Sequence, residues 1–278
     1  MEALTQQSAI DQRFLTSASG RNDWLVWQLA DSAFPTGSFA HSAGLEAAWQ
    51  HGEVRNRVEL VSFLEASLRQ LGHSSLPFVA TAHAEPERLE EFDELCDAFT
   101  TNHVANRASR LQGKAFFTAV ERIVNVGQAS SLPVLAASCR QNDGTKMPTQ
   151  PVSRMSALQS QTTSNDPSLN WAGWKPALRY FHYAPVFGAV TNRLGLNREL
   201  ATRLFFFSHL RSLLAAAVRL NVVGPMDAQA IQLQLSSHAE AIRTQCERLA
   251  LDDIAQTSPL LDLWQGTQDR LYSRLFQS

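Results

Sequence analysis

An all-α, single-domain bundle of about eight to ten helices is the fold this sequence predicts, and three observations carry that expectation. Apolar residues recur at spacings of three and four nearly throughout, with no bounded run of period-two alternation. Helix starts and stops are marked along the chain by Asn56, Pro77, Pro86, Pro185, Asn197 and Pro225. A length of 278 residues with 44% hydrophobic content is enough for one substantial core.

Taken in order, the chain opens with a stretch over 1–22 that lacks the basic start and apolar centre of a signal peptide and reads as a disordered tail. Trp24, Trp27, Gln28 and Leu29 open a first helix capped by Asn22 or Asp23, and Pro35 biases Phe34 out of the helical region and ends it. A second helix is expected from about Ser38 to His51, capped by Thr36 or Ser38 and stopped at Gly52. Asn56 with Glu59 makes a capping-box-like start for a helix that places Val61, Leu64, Leu68 and Leu71 on one face. Pro77 starts a short helix, and Pro86 precedes the stripe Leu89, Phe92, Leu95, Cys96 and Phe99. Another helix covers roughly Val104 to Val126.

From Gly127 to about Pro176 the composition shifts to Ser, Gln, Thr, Asn and Pro, with few large apolar side chains. Such a segment cannot offset the entropy of ordering, so a mobile insert over about 128–176 is expected, pinned near its end by Trp171 and Trp174. Order resumes at Tyr180, with Pro185 in the first turn of a helix that ends near Gly195. Asn197 then caps a long apolar helix to about Val222. Asp227 caps a helix carrying Ile231, Leu235, His238, Ile242 and Leu249 on one face, and after Pro259 comes the tail, Leu260 to Trp264 and then Asp269 to Ser278.

Several function classes are excluded or disfavoured. With 24 Lys and Arg against 26 Asp and Glu, the net charge of -2 offers no electrostatic case for nucleic acid or an anionic membrane as partner. The most apolar run, Arg203 to Leu220, is broken by Arg203, His209, Arg211 and Arg219, whereas a span needs about 20 mostly apolar residues. Cys96, Cys139 and Cys246 are odd in number and widely spaced, which argues against a disulfide framework and fits a reducing cytoplasm. There is no phosphate-cradling G-x-x-x-x-G-K-[ST] loop, no H-E-x-x-H and no Gly-rich dinucleotide fingerprint. The eight histidines form no i,i+4 pair, so no dedicated metal site and no cofactor are expected.

The densest polar chemistry lies between Leu29 and Glu46, where Asp31, Ser32, His41, Ser42 and Glu46 crowd one helical elbow around Pro35 and Gly37. The residues alone leave two readings open. One is a capped turn between core helices. The other is a helical enzyme using Asp31, His41 and Glu46, with His182 in the same pocket. An Asp31/Ser38/His41 hydrolytic triad is the weakest form of it, since Asp31 would have to orient the imidazole from across the turn.

The run LADSAFPTGSFAHSAGLEAAWQHG, Leu29 to Gly52, resembles the signature of UreF-type urease accessory proteins. Three further stretches repeat the resemblance in the family's order. They are His182-Tyr183-Ala184-Pro185-Val186-Phe187-Gly188 with Leu194-Gly195-Leu196, Arg211 to Leu220 with Gly224-Pro225, and Arg270 to Ser278. The resemblance implies a non-enzymatic chaperone of urease maturation. It implies binding to a UreD/UreH-type protein, recruitment of a UreG-type GTPase, delivery of nickel to apo-urease, and a homodimer within that assembly. It marks Asp31, Ser32, Pro35, Gly37, His41, Gly44, Glu46, His182, Tyr183, Pro185, Gly188, Arg211 and Ser212 as motif or interface positions. Ser38 and Ala43 stand where the family often has glycine, a change expected to add helix propensity. The tail is expected to be a helix that gathers Tyr272, Leu275 and Phe276 on one face with Arg270 and Arg274 beside it, and the residues alone leave open whether that face folds back on the core or, with Ser273, meets a partner. The resemblance makes that face a docking surface for the accessory partner.

Overall fold

The computed structural model of the protein describes residues 18–130 and 178–278. Helices account for its regular structure, and no strand occurs among the described residues. In chain order these are α1 (Ala18–Ala30), α2 (Leu45–Gln50), α3 (Arg57–Ser74), α4 (Leu76–Ala84), α5 (Leu89–Phe99), α6 (His103–Ser130), α7 (Tyr183–Arg193), α8 (Arg198–Arg219), α9 (Pro225–Cys246) and α10 (Pro259–Thr267). Of the insert expected at about 128–176, residues 128–130 belong to α6, and the rest, with Trp171 and Trp174, lies outside the described residues.

The centre is the pair α4 and α7. In α4 the run Leu76 to Ala80 with Ala82 and His83 is buried, and in α7 everything from Ala184 to Thr191 is buried. A helix that is apolar all round belongs inside a core, and these two lie against each other there. Their approach is close enough that a Cβ at Gly188 would fall 2.2 Å from the Val79 carbonyl oxygen. Helices α5, α6 and α8 surround the pair, and α9 closes over α3 and α8. Rings knit the layers together: Phe116 stacks on Phe187 at 5.2 Å, and Phe205 meets Phe187 at 5.3 Å and Tyr183 at 5.7 Å.

Many sequence expectations hold. Asn56 Oδ1 accepts the Val58 and Glu59 amides, while Glu59 reaches back to the amide of Arg55. Asn197 Oδ1 accepts the Leu200 amide. Leu64, Leu68 and Leu71 are buried, with Val61 partly so.

Others need correcting. The first helix begins at Ala18 rather than at an Asn22 or Asp23 cap. Gly224 precedes α9 and Asp227 sits in its first turn, paired with Arg57 at 3.4 Å, while Leu249 falls beyond the helix end at Cys246. Leu95 faces solvent. The expected helix Ser38 to His51 is two pieces, a 3₁₀ turn Ser38–Ala40 and α2. Between them Ala43 and Gly44 both adopt positive φ, 48° and 87°. Ala43 therefore adds no helix propensity; it holds a left-handed conformation that disfavours a side chain. Gly44 meets a second constraint, because a Cβ there would lie 3.0 Å from the Gln265 amide nitrogen of α10.

The tail is not a helix. A 3₁₀ turn, Gln268–Arg270, ends the helical part, and Leu271 to Ser278 runs as bends and extended chain. Tyr272, Leu275 and Phe276 consequently share no face: Phe276 is buried at 4% exposure, whereas Leu275 is 58% exposed and Tyr272 fully so. The amides of Leu275, Phe276 and Gln277 bond outward to the body of the domain, and that pairing outcompetes a local helix.

Candidate functional site

Two of the motif stretches and the tail meet in one place. From α8, Ser212 Oγ donates to the Ser38 carbonyl at 3.1 Å, and the Arg211 guanidinium donates to the carbonyl of Ala30 at the end of α1. One helix thus fixes both ends of the elbow. Within it Asp31 Oδ1 accepts the Ala33 amide at 2.8 Å, and Thr36 Oγ1 accepts the Ser38 amide. Ser32 and Pro35 are exposed on the outside of the turn, and Gly37 takes φ 71° before the 3₁₀ piece.

His41 and Glu46 point beneath the C-terminal segment. His41 Nδ1 bonds to the Ser278 hydroxyl, the Ser42 amide donates to the Ser278 carbonyl, and the Gln277 amide donates to Ala40. Glu46, only 1% exposed, accepts the amides of Leu275 at 2.6 Å and Phe276 at 3.2 Å and the side-chain amide of Gln268. Arg219 stacks on the Phe276 ring at 4.2 Å and donates to the carbonyls of Phe39 and Leu275. On the other side Arg107 grips Asp269 with both terminal nitrogens, and Arg274 joins the same carboxylate at 3.0 Å. Gln50 donates to the Ser273 carbonyl. The Leu271–Leu275 bend is therefore pinned at its base and carries Tyr272, Arg274 and the Leu275 side chain outward.

His182 and its neighbours form a separate buried unit. The Asp93 carboxylate accepts the amides of Tyr180, Phe181 and His182 at 2.8, 3.0 and 2.7 Å, capping the approach to α7. His182 Nδ1 meets Ser109 Oγ at 3.1 Å and its Nε2 meets Asp97 at 3.0 Å. Pro185 sits in the first turn of the helix, Tyr183 joins the ring stack, and Gly188 packs against the Val79 carbonyl.

Behind the elbow lies a cavity of about 230 Å³ whose wall includes Thr36, His41, Ser67, Tyr183, His209 and Arg211. Burial, and next the Arg107 charge, pushes His41 down to about 4; burial alone pushes His209 to about 4. Both imidazoles are neutral at pH 7, and Ser67 Oγ bonds to His209 Nε2 at 2.8 Å. Burial also raises the Tyr183 phenol. Among the described residues there is no group of three or more His, Cys, Asp or Glu able to hold a metal ion. Nor is any helix there long and apolar enough to cross a membrane.

Asp31, His41 and Glu46 are each engaged in different hydrogen bonds, so the structure does not assemble them as an acid, base and nucleophile. The sequence reading missed Asp93, Arg107, Arg219 and Gln268. Asp93 had a signal: it lies on the same stripe as Leu89, Phe92 and Cys96, where a carboxylate needs a buried partner.

Comparison with known proteins covers the body of the domain by a family model and most of the chain by relatives. A family model described as UreF matches residues 54–236, a range that starts after the elbow and ends before the tail. Over longer stretches the chain is similar to urease accessory protein F of Arabidopsis thaliana, 35% identical over 266 residues covering 95% of this chain and 96% of the relative. It is 34% identical to urease accessory protein F of Oryza sativa subsp. indica over 266 residues, covering 94% and 88%. Urease accessory protein UreF of Trichodesmium erythraeum is 27% identical over 259 residues, covering 90% and 94%.

Proposed function

Because the chain belongs to the UreF family of urease accessory proteins, and so has a role in urease maturation, we propose that it acts there as a bridging chaperone. On this reading it binds a UreD/UreH-type accessory protein, recruits a UreG-type GTPase, and supports nickel insertion into apo-urease. It works in the cytoplasm, as a homodimer within the complex, and carries out no catalysis itself.

The observation that supports this most directly is the C-terminal bend. Its base is tied to a buried carboxylate and a buried histidine, while Tyr272 stands fully exposed with Leu275 beside it. A fully exposed aromatic on a tethered backbone bend contributes little to the fold of a monomer, whereas aromatic and Arg side chains are the usual anchors of interfaces. Of the tail positions, Tyr272, Ser273, Arg274 and Leu275 are available to a partner, and Phe276 acts from beneath as the plug that fixes them.

The test is co-purification. Full-length chain should retain the UreD/UreH-type protein on a column and, through it or beside it, the GTPase. Purified chain alone should hydrolyse neither GTP nor urea. Failure to retain either accessory protein refutes the bridging role. Turnover that disappears in His41→Ala would restore the enzyme reading built on Asp31, His41 and Glu46.

A further inference from the structure

We propose that Glu46 is a positioning residue for partner docking: a buried carboxylate that never meets the partner but holds the tail in its binding-competent shape. The inference rests on the reading that the tail contacts an accessory protein, and adds which residue governs that contact.

Glu46 lies in the first turn of α2 at 1% exposure. Its described partners are three neutral N–H donors, and all three come from the C-terminal segment: the side chain of Gln268 and the amides of Leu275 and Phe276. A carboxylate taken out of water is tolerated only when donors replace its hydration. Conversely, the Leu275 and Phe276 amides have no helix or strand to pair with, because they lie in a bend. Each side therefore depends on the other. The donors bracket the bend, with Gln268 before it and Leu275 and Phe276 after it, so one carboxylate fixes both of its ends.

Between those ends the chain turns outward. The Tyr272 side chain is fully exposed, Leu275 is 58% exposed, and Arg270 and Arg274 are exposed on the same segment. The surface it presents is Tyr272 between Arg270 and Arg274, followed by Leu275, with Arg274 already paired to Asp269. Its complement is an apolar socket with a carboxylate facing Arg270, and we commit to the UreD/UreH-type protein as the bearer of that socket. If the tail were released, the competent conformer would become one of many, and apparent affinity falls in proportion to its population.

The experiment uses the full-length chain and the purified UreD/UreH-type protein. Three variants are compared: Glu46→Gln, Gln268→Met, and the double variant Tyr272→Ala/Leu275→Ala. Amide hydrogen exchange of residues 271–278 is measured beside binding kinetics and thermal melting. Glu46→Gln replaces one accepting oxygen with a side-chain amide NH2, a donor facing a donor, so exchange at Leu275 and Phe276 should rise and the dissociation constant should rise about tenfold, for a tenfold drop in the competent population. Gln268→Met, which removes one donor only, should give smaller changes of the same kind. The double variant should keep its protection and lose binding. Wild-type affinity in Glu46→Gln despite lost protection overturns the positioning role. Wild-type affinity in the double variant overturns instead the reading that the tail meets this partner. If Glu46→Gln does not fold, Gln268→Met decides: lost protection with unchanged affinity overturns the proposal.

Discussion

Asp93 accepts the backbone amide of His182 at 2.7 Å and the two preceding amides with the same carboxylate. This single side chain from α5 caps the approach to α7. Phe181, in the middle of the three, holds a positive φ of 63°, a conformation that persists only when its surroundings enforce it.

Replacing that carboxylate should therefore be costly. Asp93→Ala leaves three inward amides without their acceptor, and the expected loss is about 3–5 kcal/mol. Asp93→Asn keeps one acceptor oxygen and should lose about half as much. Urea unfolding of the two variants checks this; a loss below about 1 kcal/mol in the alanine variant shows that the amides find water instead.

Acid should destabilise the fold. His41 and His209 sit at about 4 when folded because burial opposes their charge, against about 6.5 when unfolded. Below pH 6.5 the unfolded chain takes up protons that the folded one refuses, so stability falls as pH drops from about 6.5 toward 4 and is fully present above that window. Each histidine contributes up to about 3 kcal/mol by pH 4. Burial lowers His83 and His182 as well, in the same direction. Melting temperatures at pH 7.5, 6 and 5 should decline, and His209→Gln should flatten the decline. A flat profile in the wild type would show that these imidazoles titrate freely.

Gly188→Ala should be among the worst single substitutions. The new Cβ would sit 2.2 Å from the Val79 carbonyl oxygen and 3.1 Å from the His83 nitrogen, both backbone atoms that cannot swing away. The central α4/α7 pair must separate, at a cost of about 3 kcal/mol. Circular dichroism should show an unchanged helical signal at low temperature with an early melt.

How much of this was legible in the sequence follows from which forces are local. Asn56 and Asn197 announce helix starts because their side chains bond amides two or three residues on, and that chemistry needs no tertiary partner. The tail misled because Tyr272, Leu275 and Phe276 have helical spacing, yet the decisive partner, Glu46, is 229 residues from Leu275. Spacing cannot reveal such a bond. Ser38 to His51 misled in a similar way: its residues favour helix, but Gly44 must let α10 pass, and Ala43 is carried into the left-handed region with it.

Ala43 consequently makes a prediction with a counterintuitive sign. Ala43→Gly removes the left-handed penalty, which is about 1–2 kcal/mol for an L-residue. Glycine's greater freedom when unfolded and the lost methyl contact return part of it. A net gain of about 0.5 kcal/mol is expected, while Ala43→Val should lose more than 1 kcal/mol because β-branching worsens positive φ. Paired thermal melts decide it. A destabilised glycine variant would mean that the methyl packing outweighs the backbone strain.

Truncation before Leu271 joins stability to function. It removes Phe276, whose ring is buried beneath Arg219, and Ser278, whose hydroxyl bonds to His41. Losing a buried Phe alone costs about 3 kcal/mol when the site cannot collapse. Here the cost should be somewhat lower, because Glu46 gains water as soon as the tail is gone and its charge is not stranded. A lower melting temperature is therefore expected together with loss of the complex, and the two effects must be separated. Tyr272→Ala does so, since a fully exposed ring contributes little to the fold. That variant should melt with the wild type and bind the UreD/UreH-type protein at least thirtyfold more weakly, about 2 kcal/mol, as an aromatic anchor would. Should Tyr272→Ala bind normally while the truncation does not, the tail serves the fold and the docking surface lies elsewhere.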